Sequence, residues 1–143
     1  MQIGGVMRVQ LVTATPEQTA AEAIRAMLDA GVGSVVVVEG STPVGMFTER
    51  DVLKLAGAGV SFGSILLRDV MTPSPLTIGA DDSILAAAAL MGERSIRHLP
   101  VVEGGNLVGI VSIRDVLGYL AERLWAERDE AARDTARALL DRR

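Results

Sequence analysis

The chain contains no cysteine and a single histidine. The first absence excludes a disulfide framework, a thiolate nucleophile and zinc sites of the cysteine type. The second leaves too few imidazoles for a His-rich metal centre. Aromatic residues are only 3 % of the chain, so the core has to be built from Val, Ile, Leu, Ala and Met. No long apolar run is present: the longest, Ile84 to Met91, falls far short of the roughly 18 residues a membrane span needs. The opening Met1-Gln2-Ile3-Gly4-Gly5 lacks the charged and apolar regions of a signal peptide, which predicts a cytoplasmic protein. Positive charge is not in excess either. The net charge of −4 offers no electrostatic footprint for nucleic acid or an anionic membrane. What remains is 143 residues, 49 % hydrophobic and 22 % charged. That balance suits a soluble globular protein, as one compact domain or two half-size modules sharing a core.

The chain is written twice. Gly45-Met46-Phe47-Thr48-Glu49-Arg50-Asp51-Val52-Leu53 returns as Gly109-Ile110-Val111-Ser112-Ile113-Arg114-Asp115-Val116-Leu117, an offset of 64 residues. Without gaps, that offset aligns residues 5 to 53 with 69 to 117, and 15 of the 49 pairs are identical. Val6-Met7 matches Val70-Met71, and Val37-Val38-Glu39-Gly40 matches Val101-Val102-Glu103-Gly104. Two copies predict a pseudo-symmetric pair rather than a long array.

Local signals give each copy the order strand, helix, strand, strand, helix. A turn and brief strand occupy residues 5 to 13. Thr15-Pro16-Glu17-Gln18 reads as a helix start, with Thr15 as N-cap, Pro16 first in the helix and Gln18 closing a capping box. Ala20, Ala23, Ile24, Met27 and Leu28 share one face of that helix, and Gly31 caps its end. The run from Ser34 to Val38 predicts a strand covered on both faces. Val44 to Phe47 returns as a second strand, and Thr48 opens a helix lasting to Gly57. Gly57 to Ser64 is Gly/Ser-rich and reads as linker. The second copy predicts a strand near Leu76 to Ile78, a helix from about Asp81 to Glu93, and strands near His98 to Val102 and Leu107 to Val111. A final helix then starts at Ser112. The boundaries are 5–57 for the first repeat, 58–68 for the linker, 69–121 for the second repeat and 122–143 for a helical extension. Over 121–143 acidic and basic residues balance six against six. Trp125, Ala132, Ala136 and Leu139 form a thin apolar stripe there, which predicts packing against a neighbour such as the same helix of a second subunit.

Two phased copies of this module, each closing on Gly-apolar-apolar-Thr/Ser-x-x-Asp, resemble the cystathionine β-synthase (CBS) domain family. The Val-Met lead-ins and Arg97-His98-Leu99-Pro100-Val101-Val102 are also similar to that family's sequence. The resemblance covers residues from about 5 to 121. It implies an α/β fold in which two pseudo-symmetric β-α-β-β-α repeats pack sheet to sheet as a CBS pair (Bateman module), with the C-terminal helix extended. It also implies a homodimer, and clefts between the copies that bind adenosine-type ligands.

Thr48/Asp51 and Ser112/Asp115 are accounted for by helix capping alone, worth about 1 kcal/mol each. An ionised Asp in the first turn can also accept two hydrogen bonds, as a ribose diol requires, and the neighbouring amides can face a phosphate. The resemblance favours ligand binding for Asp115 and, less strongly, for Asp51. It also places Arg97 and His98 against ligand phosphates, where Arg offers bidentate recognition and His a pH-dependent donor. Either residue could equally be an ordinary packed or solvated side chain. At the same offset, Arg97-His98 pairs with Gly33-Ser34, which has no cation. The resemblance therefore implies a main cleft of Thr15, Ala20, Val32, Gly33, Ser34, Arg97, His98, Ile110, Ser112 and Asp115. The second cleft, formed by Gly79, Ile84, Ile96, Met46, Thr48 and Asp51, is expected to bind more weakly, to bind nucleoside-like groups or to stay empty, because it lacks a phosphate clamp. Arg50 and Arg114 can reach a phosphate or remain solvated.

No Ser/His/Asp set, metal cluster or Walker-type loop is recognisable, so no enzyme activity and no metal are expected. The leading reading is a regulatory module binding AMP, ADP or ATP, with no obligatory cofactor. Its output would pass through an unknown effector protein or a change of assembly, without nucleic acid or membrane. The alternatives are a ligand-free interaction dimer, and a module for S-adenosylmethionine or NAD(H).

Overall fold

A computed structural model describes residues 1–140, apart from the side chains of Ala136, Leu139 and Leu140. The β-branched run of the first copy forms β2 (Ser34–Glu39), and Ser34 to Val37 are buried. It pairs antiparallel with β3 (Thr42–Thr48) through a turn in which Gly40 takes φ +61°. The second copy repeats this hairpin as β6 (His98–Glu103) and β7 (Asn106–Ser112). Even the register shifts correspond, Val37/Val38 with Val101/Val102. Short parallel strands flank each hairpin, β1 (Thr13–Ala14) on β2 and β5 (Ile78–Gly79) on β6. The helices are α1 (Ala20–Ala30), α2 (Glu49–Gly57), α4 (Ile84–Arg94) and α5 (Ile113–Leu140), with a single turn, α3 (Leu67–Val70), between the copies. The product is an α/β pair of pseudo-symmetric repeats whose sheets meet where β3 faces β7.

Helix α1 starts four residues later than its sequence signal suggests. Its N-cap is Thr19, whose hydroxyl accepts from the Glu22 amide at 3.2 Å. Thr15 to Gln18 instead form a turn, in which the Gln18 amide donates to the Thr15 carbonyl and the Thr15 amide to Gln18 Oε1. The reason is tertiary. The carbonyls of Pro16 and Gln18 accept from the amides of Arg68 and Leu67, and these ties to the segment between the copies hold residues 16–18 in the turn. Helix α4 likewise starts at Ile84 rather than near Asp81, capped by Ser83 at the same offset from Thr19. Gly31 does cap α1, at φ +65°.

The two cores exchange their lead-ins. Ile3, fully buried, joins Ile78, Ile84, Leu99, Val101, Val111 and Val116 of the second copy, and Val6 and Met7 pack beside it. Reciprocally, Leu67 is buried with Ala20, Ala23, Val35, Val37 and Phe47 of the first copy, flanked by Phe62, Ile65, Val70 and Met71. Glycine makes both approaches possible: a Cβ on Gly109 would lie 2.6 Å from the Met7 sulfur, and one on Gly45 would collide with Met71. Backbone pairing follows the same exchange. Strand β4 (Thr72–Pro73) pairs with β3, and Arg8 bridges to Ile110 of β7. The stretch read from sequence as a linker thus contributes Phe62 and Ile65 to the first core.

Helix α5 runs 28 residues, about 42 Å at 1.5 Å per residue. Residues 121–135, including Trp125 and Ala132, are all exposed. The side chains of Ala136 and Leu139, the rest of the expected stripe, lie outside the described residues. Among the described residues no helix is long and apolar enough to cross a membrane.

Candidate functional site

The sharp turns that launch α2 and α5 from the ends of β3 and β7 build the two polar centres of the molecule. At the first, Asp51 Oδ2 accepts from the Thr48 amide at 2.8 Å and from its hydroxyl at 3.3 Å. At the second, Asp115 Oδ2 accepts from the Ser112 amide at 2.8 Å and its hydroxyl at 2.9 Å. Each carboxylate is therefore held by one oxygen, which fixes its direction. The other oxygen distinguishes the two centres. Asp115 Oδ1 accepts from Arg8 Nε at 3.3 Å, whereas no described residue donates to Asp51 Oδ1.

Each carboxylate stands in its own cleft between the copies. The Asp115 cleft, about 540 Å³, is floored on its apolar side by Ile24, Met27, Val32 and Ile110. Gly33, Ser34, Arg97, His98 and Ser112 complete the wall, and Arg8, Arg114 and Glu49 add charge. The Asp51 cleft, about 410 Å³, gathers Met46, Thr48, Ile96, Pro75 and Leu76, with Arg50 and Lys54 as cations. Both volumes lie within the range of small-molecule sites.

Eight of the ten residues expected in the main cleft line it; Thr15 and Ala20 do not. Thr15 is exposed in its turn, and Ala20 is fully buried in the first core. Met46, Thr48, Ile96 and Asp51 line the second cleft, but Gly79 and Ile84 do not. The Gly79 amide is tied to Asp82 Oδ2 at 2.8 Å, and Ile84 is core. The displaced helix starts explain these four positions, because the loops before α1 and α4 turn toward the lead-ins and away from the clefts.

The charge of the second cleft also differs from what the repeat offset implies. The Asp51 cleft was expected to have only Gly33-Ser34 where a phosphate clamp belongs. Yet Arg97 and His98 line both clefts, and Arg50 and Lys54 stand in the second. The cause is geometric: Gly33 and Arg97 precede β2 and β6 at equivalent positions, and the two clefts meet at that rim. Sequence reasoning also missed Glu49 and Arg8. Glu49 packs over Gly33, where a Cβ would come within 3.1 Å of its carboxyl carbon, and it too lines both clefts. Its only sequence signal is that its repeat partner, Ile113, is apolar.

Burial lowers the His98 pKa below its usual 6.5, and Arg97 adds to the fall. Glu49 and Asp115 pull the other way without reversing it. The folded state therefore holds the imidazole neutral near pH 7. On acidification below about 6.5 the unfolded chain takes up the proton first, so stability is lost as pH falls from that value toward the lower folded pKa. The melting temperature is expected to drop more between pH 7 and pH 5 for the unaltered chain than for His98→Gln. Equal drops would remove His98 from the acid response.

The sequence model of the CBS domain family matches residues 3–57 and 67–122, and the chain belongs to that family. It is 38 % identical over 120 residues to an uncharacterised protein of Methanopyrus kandleri, covering 82 % of this chain and 61 % of that protein. It is 36 % identical to the CBS domain-containing protein YhcV of Bacillus subtilis, covering 77 % of this chain and 79 % of that one. An inosine-5′-monophosphate dehydrogenase of Korarchaeum cryptofilum is also 36 % identical, but the chain spans only 25 % of its length. Among solved structures, a CBS domain protein of Pyrobaculum aerophilum complexed with AMP superposes with a TM-score of 0.77 at 26 % identity, covering 85 % of this chain and 99 % of that one. A CBS-domain containing protein of Agrobacterium tumefaciens gives 0.75 at 28 %, covering 83 % and 98 %.

Proposed function

We propose that this CBS pair is a regulatory module that binds an adenine nucleotide, AMP, ADP or ATP, in the Asp115 cleft. The observation that carries the reading is the convergence there of an apolar slot, an oriented carboxylate and guanidinium groups. These match, in turn, a base, a ribose diol and a phosphate. The Pyrobaculum aerophilum relative complexed with AMP supports the same ligand class. The module acts by binding and not by catalysis. A ligand bridging both copies shifts their relative geometry only so far as it binds one arrangement better. That shift passes to a partner protein or to the assembly of the chain in the cytoplasm. Exposed Leu117, Leu124 and Trp125 on α5 support assembly as a homodimer.

The Asp51 cleft is a second and weaker site of the same class, distinguished in that no guanidinium among the described residues pairs with its aspartate. A thermal-shift panel with AMP, ADP, ATP, adenosine, S-adenosylmethionine and NADH, each near 1 mM, tests the reading, since a ligand bound only by the folded state raises the melting temperature. A rise with AMP is expected, largely lost in Asp115→Ala and largely kept in Asp51→Ala. A flat panel would sink the sensor reading in favour of an interaction module.

A further inference from the structure

The two aspartates are held alike by their capping oxygens and differ in what reaches the free one. Arg8 belongs to the N-terminal lead-in, and its backbone is pinned to β7 by paired hydrogen bonds with Ile110, at 2.8 and 3.0 Å. Its side chain is largely exposed, 59 % against 12 % for Asp115. The guanidinium can therefore swing while its Cα stays in place. At the equivalent point of the other lead-in stands Thr72, paired with Met46, with no cation to offer Asp51.

A ribose diol that engages Asp115 must take Oδ1, since Oδ2 already receives the amide and hydroxyl of Ser112. That is the oxygen Arg8 occupies. Displacing Arg8 leaves its charge in a cleft that also contains Arg97 and Arg114, with Glu49 as the one other carboxylate among the lining residues. A nucleoside gives it no new partner, whereas a 5′-phosphorylated nucleoside does. We propose that Arg8 is a specificity residue of the Asp115 cleft, exchanging Asp115 for the ligand phosphate and so admitting nucleotides over nucleosides. The inference rests on the nucleotide reading above and adds to it a residue and a selection rule.

Titration calorimetry of the full chain with AMP and with adenosine tests it, in an Asp51→Ala background so that the Asp115 cleft dominates. Arg8→Ala is expected to lower the ratio of AMP to adenosine affinity by about tenfold, one charged hydrogen bond's worth. Adenosine itself should bind about twofold to threefold more tightly, because an exposed ion pair no longer competes. In the reverse experiment Thr72→Arg, in an Asp115→Ala background, should raise the same ratio at the Asp51 cleft. Thermal melts confirm that each variant is folded, and Arg8→Gln serves as a second neutral replacement. If AMP binds the parent chain and its preference over adenosine survives both Arg8 variants, the exchange is wrong while the nucleotide reading stands. If neither ligand binds the parent chain, both fall together.

Discussion

Ile3→Ala is expected to lower the unfolding free energy by about 2–4 kcal/mol, the usual range for truncating a buried aliphatic side chain. Residues so close to a chain terminus are ordinarily the least costly to alter. Ile3 is different because it is fully buried in the second core. The surrounding backbone is strapped down as well: the Ile3 amide donates to the Asp82 carbonyl at 2.8 Å, Gly4 to Ala80 at 2.9 Å, and Ile84 to the Met1 carbonyl at 3.2 Å. With so many backbone ties the cavity cannot readily collapse, which places the cost toward the upper part of the range. Against a total stability of about 5–15 kcal/mol, that loss is large. Urea titration measures it directly. A change below about 0.5 kcal/mol, within the range of ordinary surface substitutions, would mean that the N-terminal segment does not complete the second core in solution. Leu67→Ala is the reciprocal control, since Leu67 is the fully buried exchange residue of the first core.

Arg97→Ala is expected to weaken AMP binding by about 1.5–3 kcal/mol, roughly tenfold to a hundredfold, with adenosine nearly unaffected. Because Arg97 stands on the rim common to both clefts, the loss should appear at both sites and not at the Asp115 site alone. Calorimetry resolves this as two weakened binding events. Weakening at one site only would show that Arg97 commits to a single cleft. An S-adenosylmethionine ligand, which carries no phosphate, should be nearly indifferent to the substitution. The same variant therefore separates the ligand classes that share an adenosine slot.

Most of the fold and part of the site were legible in the residues themselves. The 64-residue offset, the β-branched run at Ser34 to Val38, the Gly31 cap and the Thr48/Asp51 and Ser112/Asp115 boxes act over a few positions. Side-chain periodicity and capping geometry suffice to read them, and they located the two carboxylates. Tertiary structure decided which copy each lead-in serves. Val6-Met7 and Val70-Met71 are the same dipeptide, facing the repeat-equivalent glycines Gly109 and Gly45, so this dipeptide does not distinguish one core from the other. Chain connection, not residue type, resolves that degeneracy. From the exchange follow the displaced starts of α1 and α4, since the Pro16 and Gln18 carbonyls are tied to Arg68 and Leu67, and the Ala80 and Asp82 carbonyls to Gly4 and Ile3. With them, Thr15, Ala20, Gly79 and Ile84 stand outside the clefts. The exchange also carries Arg8 across to Asp115, 107 residues away in sequence, a contact that no local pattern encodes. The common rim, where Arg97, His98 and Glu49 line both clefts, is likewise a product of packing two sheets face to face.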